Sequence, residues 1–240
     1  MIVVTGGTGF VGREICRRLA AEGLAVKALA RHPSEQPLPA GVEFFAGDIT
    51  RPETLRLAFR GAKAVIHTVG IIREHRQQTF RRIHPEGTAH VIAAAQAAGV
   101  SRYLHLSALG TRPGAVSRYH QTKWAAEEIV RSSGLAFTIF RPSLIYGKAD
   151  AFTNPLASLM RPPLSWLSGG FVPIPGGEEV ILQPVGVNEV AEALVRSLGQ
   201  TAAVGQTFDL CGKAVSLKDL SVWIAQVMGR FPTWVEQPPD

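Results

Sequence analysis

Tyr119 and Lys123 stand four residues apart in Tyr119-His120-Gln121-Thr122-Lys123, the spacing that puts two side chains on one face of a helix. An ammonium beside a phenol favours the phenolate, so such a pair suits proton exchange with a carbonyl or alcohol near neutral pH. With only three tyrosines in the chain, the pairing is informative. A second chemistry lies in Thr5-Gly6-Gly7-Thr8-Gly9-Phe10-Val11-Gly12, which follows a strand-like run and opens a helix-like one. Gly6 permits a tight turn, Gly9 lets backbone approach a pyrophosphate and Gly12 allows close helix packing, while Thr8, Phe10 and Val11 complete the turn at the helix N-terminus. This is the fingerprint of a dinucleotide site.

Other positions refine that site. At the end of the second strand, where an NAD(H) site commonly carries a carboxylate for the ribose, the chain has Arg31 and His32. A guanidinium can meet a 2'-phosphate with paired donors, so NADP(H) is favoured and NAD(H) is the alternative. Asp48, with Ile49 beside it, follows the third strand, either to bond the adenine amino group or to cap the turn before Arg51-Pro52. Thr68, Val69 and Gly70 end the fourth strand, where backbone should pass the ribose and pyrophosphate, and Lys123 could also bond the nicotinamide ribose. Cys16 and Cys211 are far apart and form no CxxC pair, so no metal site is expected.

Short apolar runs that alternate with longer segments of helical period must position these groups. The runs predict strands at Ile2–Thr5, Ala25–Ala30, Val42–Ala46, Ala64–Thr68, Tyr103–Leu106 and Ala136–Phe140, with helices near Val11–Glu22, Pro52–Phe59, Thr79–Ala98 and Ser117–Ser133. That is an α/β fold, a doubly wound parallel sheet of Rossmann type. Residues 1–145 are expected to form the nucleotide-binding core. Residues 146–240, broken by Pro155, Pro162, Pro163, Gly169, Gly170, Pro173, Pro175, Gly176 and Gly177, are expected to form a C-terminal substrate or lid part that is not an independent domain. Within it a helix is predicted at Asn188–Leu198, a strand at Thr207–Leu210 and a helix at Ser216–Met228. Phe152, Leu156, Met160, Trp166, Leu167 and Phe171 could wall an apolar pocket or simply form core.

Together the glycine turn, Asp48, the Tyr119-to-Lys123 spacing and Arg141-Pro142-Ser143 resemble the extended and atypical short-chain dehydrogenase/reductase superfamily. More narrowly, Tyr103 to Gly110, Phe140 to Gly147 and Gln183-Pro184-Val185 resemble the branch of the nucleotide-binding accessory subunit of respiratory complex I and its bacterial relatives. The resemblance implies that Tyr119 is the acid/base, that Lys123 supports it, and that Arg141, Pro142 and Ser143 lie at the cofactor. It makes Ser107 the candidate electrophile, although the family's serine stands one or two residues further on, where this chain has Ala108 and Leu109. His84 occupies a position where the family commonly has an asparagine.

Three functions follow. The first is an oxidoreductase acting on a carbonyl or quinone-like substrate. The second is a non-catalytic NADP(H)-binding structural or sensor protein that supports a larger complex, and the third is a sugar-nucleotide epimerase or dehydratase. A net charge of +6 and a pI near 9.7 favour anionic partners. The local cluster Arg73, Arg76, Arg81 and Arg82 has no aromatic reading surface beside it, so no nucleic acid is expected. It could face a protein complex or a membrane surface. No run of about 18 apolar residues is present to span a bilayer, and a cytoplasmic location is the expectation, with peripheral membrane association left open.

Overall fold

The computed structural model describes residues 1–161, 171–175, 180–230 and 233–237, the two short strands at 171–175 and 233–237 by backbone alone. The chain divides into two compact units, one of Met1–Pro142 with Asn188–Leu210 and the other of Ser143–Val187 with Cys211–Asp240.

The first unit is a seven-stranded parallel sheet. Its strands are β1 (Ile2–Thr5), β2 (Val26–Ala30), β3 (Val42–Ala46), β4 (Ala64–His67), β5 (Arg102–Leu106), β6 (Ala136–Pro142) and a seventh, Thr207–Leu210. Their spatial order is Thr207–Leu210, β6, β5, β4, β1, β2, β3. All of β1, β4 and β5 is buried, as expected of strands covered on both faces. The order reverses between β1 and β4, the switch point at which such sheets bind ligands beyond the carboxyl ends of their strands. Helix α1 (Phe10–Ala21) buries Ile15, Cys16 and Leu19. A core of Val3, Leu29, Phe59, Val65, Val91, Tyr103, Val130 and Ile139 holds the sheet to its helices, each fully buried aliphatic contributing about 1.5–3 kcal/mol.

Three departures from the sequence expectation have local causes. Only Pro52–Thr54 is helical where Pro52–Phe59 was expected, because the Thr54 hydroxyl turns back to the carbonyls of Arg51 and Asp48 and competes with helix propagation. The long helix expected over Thr79–Ala98 is interrupted near its start by a π-helical turn, Arg82–Glu86, before it continues as α2 (Gly87–Ala97). Pro85 lies inside that wide turn and has no N–H for an α-helical bond. Helix Val187–Ser197 and strand Thr207–Leu210, assigned from sequence to the C-terminal part, return to the first unit, where the strand pairs with β6. Helix α3 (Arg118–Arg131) starts at Ser117, whose hydroxyl accepts from the His120 N–H.

The second unit contains short strand pairs, Ile145–Tyr146 with Val185–Gly186, Ile181–Leu182 with Val215–Ser216, and Phe171–Pro175 with Thr233–Gln237. In the turn before helix Thr153–Leu159, Asp150 accepts from the N–H groups of Phe152 and Thr153. Met160 and Ala225 form a small core there with Leu156, Ile224 and Met228, so Leu156 and Met160 of the expected pocket wall are core. Trp166 and Leu167, like the breakers Pro162, Pro163, Gly169, Gly170, Gly176 and Gly177, lie outside the described residues. Among the described residues no helix is long and apolar enough to cross a membrane.

Candidate active site

The glycine turn leaves β1 at the switch point. Gly6 has φ +76°, and a Cβ at Gly12 would overlap the Gly6 carbonyl oxygen, so helix and turn are in contact that only hydrogen allows. Gly9 is the N-cap of α1 and offers no side-chain acceptor, and no acidic residue stands in the first turn. The first-turn N–H groups of Phe10, Val11 and Gly12 therefore meet no carboxylate or hydroxyl of their own helix, which suits an anion. Thr8 is half-buried and Gly9 exposed on this turn. These residues fit a dinucleotide pyrophosphate.

Around the turn, Thr68 donates to the Thr5 carbonyl at 2.7 Å, which keeps the end of β4 against the end of β1. Val69 packs on the core, and Gly70 is exposed. At the end of β2, Arg31 and His32 are exposed, and Arg31 has no ion-pair or hydrogen-bond partner among the described residues. Arg13 donates to Ser34 and to the carbonyls of Gln36 and Pro37, fixing the loop that follows. Asp48 Oδ1 accepts from the N–H and hydroxyl of Thr50, both at 2.8 Å, the turn-capping arrangement weighed from sequence.

Lys123 is buried although it carries an amine. Its Nζ donates to the Leu106 carbonyl at 3.1 Å, and a Cβ at Gly70 would lie 3.0 Å from it, so the amine stands against the end of β4. Burial lowers its pKa to about 8, with Glu127 opposing. Tyr119 is half-buried, with Phe80 and His84 edge-on to its ring at 5.7 and 5.5 Å. Its hydroxyl makes no hydrogen bond with a described residue. Burial pushes this phenol up, so the lowering expected from Lys123 is absent: the amine is turned to Leu106.

A family model described as NAD(P)H-binding matches residues 6–154. The chain belongs to that NAD(P)H-binding family. It is 34% identical over 161 residues to a ceramide reductase of Caulobacter vibrioides, which covers 66% of this chain and 50% of that protein. It is 28% identical over 245 residues to the mitochondrial NADH dehydrogenase [ubiquinone] 1 alpha subcomplex subunit 9 of Arabidopsis thaliana, covering 98% of this chain and 60% of that one. The chain thus spans half to three-fifths of the length of these relatives. In structure it is similar to the UDP-glucose 4-epimerase of Thermus thermophilus in complex with NAD, with a TM-score of 0.82 at 24% identity over 99% of this chain and 86% of that one, a likeness of fold. This NAD(P)H-binding chain resembles the atypical short-chain dehydrogenase/reductases and, among them, the complex I subunit branch.

Within this NAD(P)H-binding chain some expected site residues are placed elsewhere. Ser107 is buried and donates to Glu127 Oε1 at 2.5 Å, not toward Tyr119, because a buried carboxylate at that end of β5 needs donors. Ile49 is a core residue, its side chain filling the space beside Gly87. Arg141 donates twice to Glu127, at 2.9 and 2.7 Å, and its neighbour Pro142 is buried. Ser143 is half-buried and begins the second unit. His67 is a buried histidine bonded to the hydroxyls of Thr5 and Thr88.

Glu127 was missed from sequence. It is 0% exposed and takes donors from Ser107, Arg131 and Arg141. Burial pushes its carboxyl up, but the donors from Arg141, Ser107 and Arg131 outweigh burial and hold it below the ordinary value. The signal that could have found it is the i,i+4 ladder Tyr119, Lys123, Glu127, Arg131 on one helical face. His84, at the asparagine-like position, pairs its Nδ1 with the Thr122 hydroxyl at 2.9 Å and its Nε2 with the backbone of Ile71.

Proposed function

We propose that the chain is an NADP(H)-dependent oxidoreductase acting on a carbonyl or quinone-like group, with Tyr119 as acid/base. The observation that carries this reading is the buried amine of Lys123, held against Leu106 and Gly70 one helical turn from a tyrosine hydroxyl with no described hydrogen-bond partner. The ceramide reductase relative supports a reductive chemistry. The first-turn N–H groups of α1 would hold the pyrophosphate, Arg31 the 2'-phosphate, and Thr68 to Gly70 with Lys123 the nicotinamide end. Bound there, NADPH supplies a hydride. Tyr119, whose phenol burial keeps protonated, then gives its proton to the substrate oxygen. Lys123, whose buried amine is turned to the Leu106 carbonyl, would hold the nicotinamide ribose rather than lower the phenol, and it keeps its charge for that contact below about pH 8. Replacing Tyr119 by Phe is expected to cut turnover on a carbonyl and quinone panel by roughly 100-fold or more, the usual worth of a positioned acid. NADPH affinity, read by fluorescence titration, should stay as it was. Undiminished turnover in that variant sinks the mechanism.

A second reading, a non-catalytic NADP(H) holder in a larger complex, is favoured by one observation. The Ser107 hydroxyl, the only candidate electrophile the resemblance offered, is spent on Glu127. The relative spanning nearly all of the chain, a subunit of an NADH dehydrogenase, agrees with it. Stopped-flow displacement of NADPH separates the two readings: release within about a second is compatible with turnover, and retention for minutes is not. The epimerase or dehydratase reading ranks third, because the epimerase likeness is one of fold.

A further inference from the structure

We propose that the two loops that follow β4 and β5 form a docking surface for an anionic lipid bilayer. Over residues 71–78 and 108–118 the chain carries four arginines, Arg73, Arg76, Arg112 and Arg118, against one carboxylate, Glu74, a net of +3 and half of the formal +6 of the whole chain. Arg73, Arg76 and Arg112 are exposed and have no ion-pair or hydrogen-bond partner among the described residues. Arg118 meets Glu74 at 3.5 Å and so ties the first loop to the start of α3, into which the second loop runs. Two aliphatic side chains project from the same loops, Ile72 at 66% and Val116 at 91% exposure. The first loop is folded to present its charge: His75 and Gln78 exchange both backbone hydrogen bonds, and Arg76 sits at the tip of that hairpin with φ +49°, a conformation a non-glycine residue adopts at a cost.

The chemistry of this surface selects its occupant. Guanidinium groups pair with phosphate oxygens, and aliphatic tips beside them enter the apolar boundary below a headgroup layer. A soluble acidic protein would be met by a broader apolar centre with aromatic anchors, and single-stranded nucleic acid by exposed aromatic faces, and neither loop carries a Phe, Tyr or Trp. The surface also borders the candidate active site. Ile71 is bonded to His84, and Phe80, just past the first loop, stands edge-on to Tyr119. A docked bilayer would face the end of the sheet where Tyr119 lies, which fits an amphiphilic substrate drawn from the membrane. Docking itself does not depend on the reaction.

The test is co-sedimentation of the full chain with phosphatidylcholine vesicles containing about a third phosphatidylglycerol, against pure phosphatidylcholine, at near-physiological and high salt. Binding to the anionic vesicles that high salt weakens is expected. Since each basic residue at such a surface is worth roughly fivefold, the triple variant Arg73→Gln, Arg76→Gln, Arg112→Gln should lose about a hundredfold in partition. The double variant Ile72→Ser, Val116→Ser should lose roughly a hundredfold at unchanged charge, the worth of the apolar transfer of two aliphatic side chains. Thermal midpoint and NADPH affinity should be unaltered in both. Equal binding to neutral vesicles, no binding to either, or full binding by the triple variant overturns the proposal. So does loss in the arginine variant alone with displacement by polyglutamate, which would mark a surface for an acidic protein.

Discussion

A serine hydroxyl has one proton to donate, and Ser107 gives it to the buried Glu127. Two arginines share that carboxylate, so Ser107→Ala leaves an ion cluster intact while removing one charge-assisted donor. The expected result is a loss of about 1.5–3 kcal/mol of stability with turnover changed only a few-fold; a 100-fold drop in kcat would return Ser107 to the role of electrophile. Arg31 makes a prediction of the opposite kind. It touches no described partner, so Arg31→Ala should leave stability alone. Losing charge-assisted bonds to a 2'-phosphate should weaken NADPH roughly 10- to 100-fold and spare NADH. Equal affinities for NADPH before and after the change would place the 2'-phosphate elsewhere.

At the scale of elements, the turn between β1 and α1 works because glycine lets helix and loop touch. Gly12→Ala drives a carbon into the Gly6 carbonyl oxygen, so backbone must shift. Overpacking of this kind costs about 1–3 kcal/mol, and NADPH affinity should fall roughly tenfold or more, both measurable by urea titration and fluorescence. That turn, the parallel strands and the α3 face with Tyr119 and Lys123 were legible because each rests on local spacing: glycines at three fixed offsets, buried apolar runs, and an i,i+4 pair. What was not legible depends on contacts distant in sequence. The reach of Ser107 and Arg141 to Glu127 joins β5, β6 and α3, and nothing local to Ser107 announces it. The π-helical turn has a visible cause in Pro85, but its purpose lies in His84, which bonds Ile71 on one side and Thr122 on the other. The seventh strand was legible as a strand, and its pairing with β6 was not.

For the whole molecule the buried histidines set a response to acid. Burial lowers His67 and His84 to about 3 and holds His105 well below its ordinary value, so all three are neutral in the native state at pH 7. In the unfolded chain they titrate near 6.5, and below that pH the unfolded state binds more protons. Stability from these groups is thus complete above about 6.5 and drains as the pH falls toward 3, by up to about 1.4 kcal/mol per pH unit for each histidine. Urea midpoints at falling pH should show this decline, and it should be shallower in His105→Leu, whose ring nitrogens have no hydrogen-bond partner among the described residues. The pairing of Thr207–Leu210 with β6 bears on how the chain is made. Until a ribosome has passed Leu210, the outer edge of β6 is an open template: the Ile139 N–H lacks its Gln206 carbonyl, and the Arg102 guanidinium lacks its Ser197 carbonyl. The nascent sheet must therefore wait through some sixty residues of intervening synthesis with a sticky margin, a window in which chaperones or another chain's strand can reach it first.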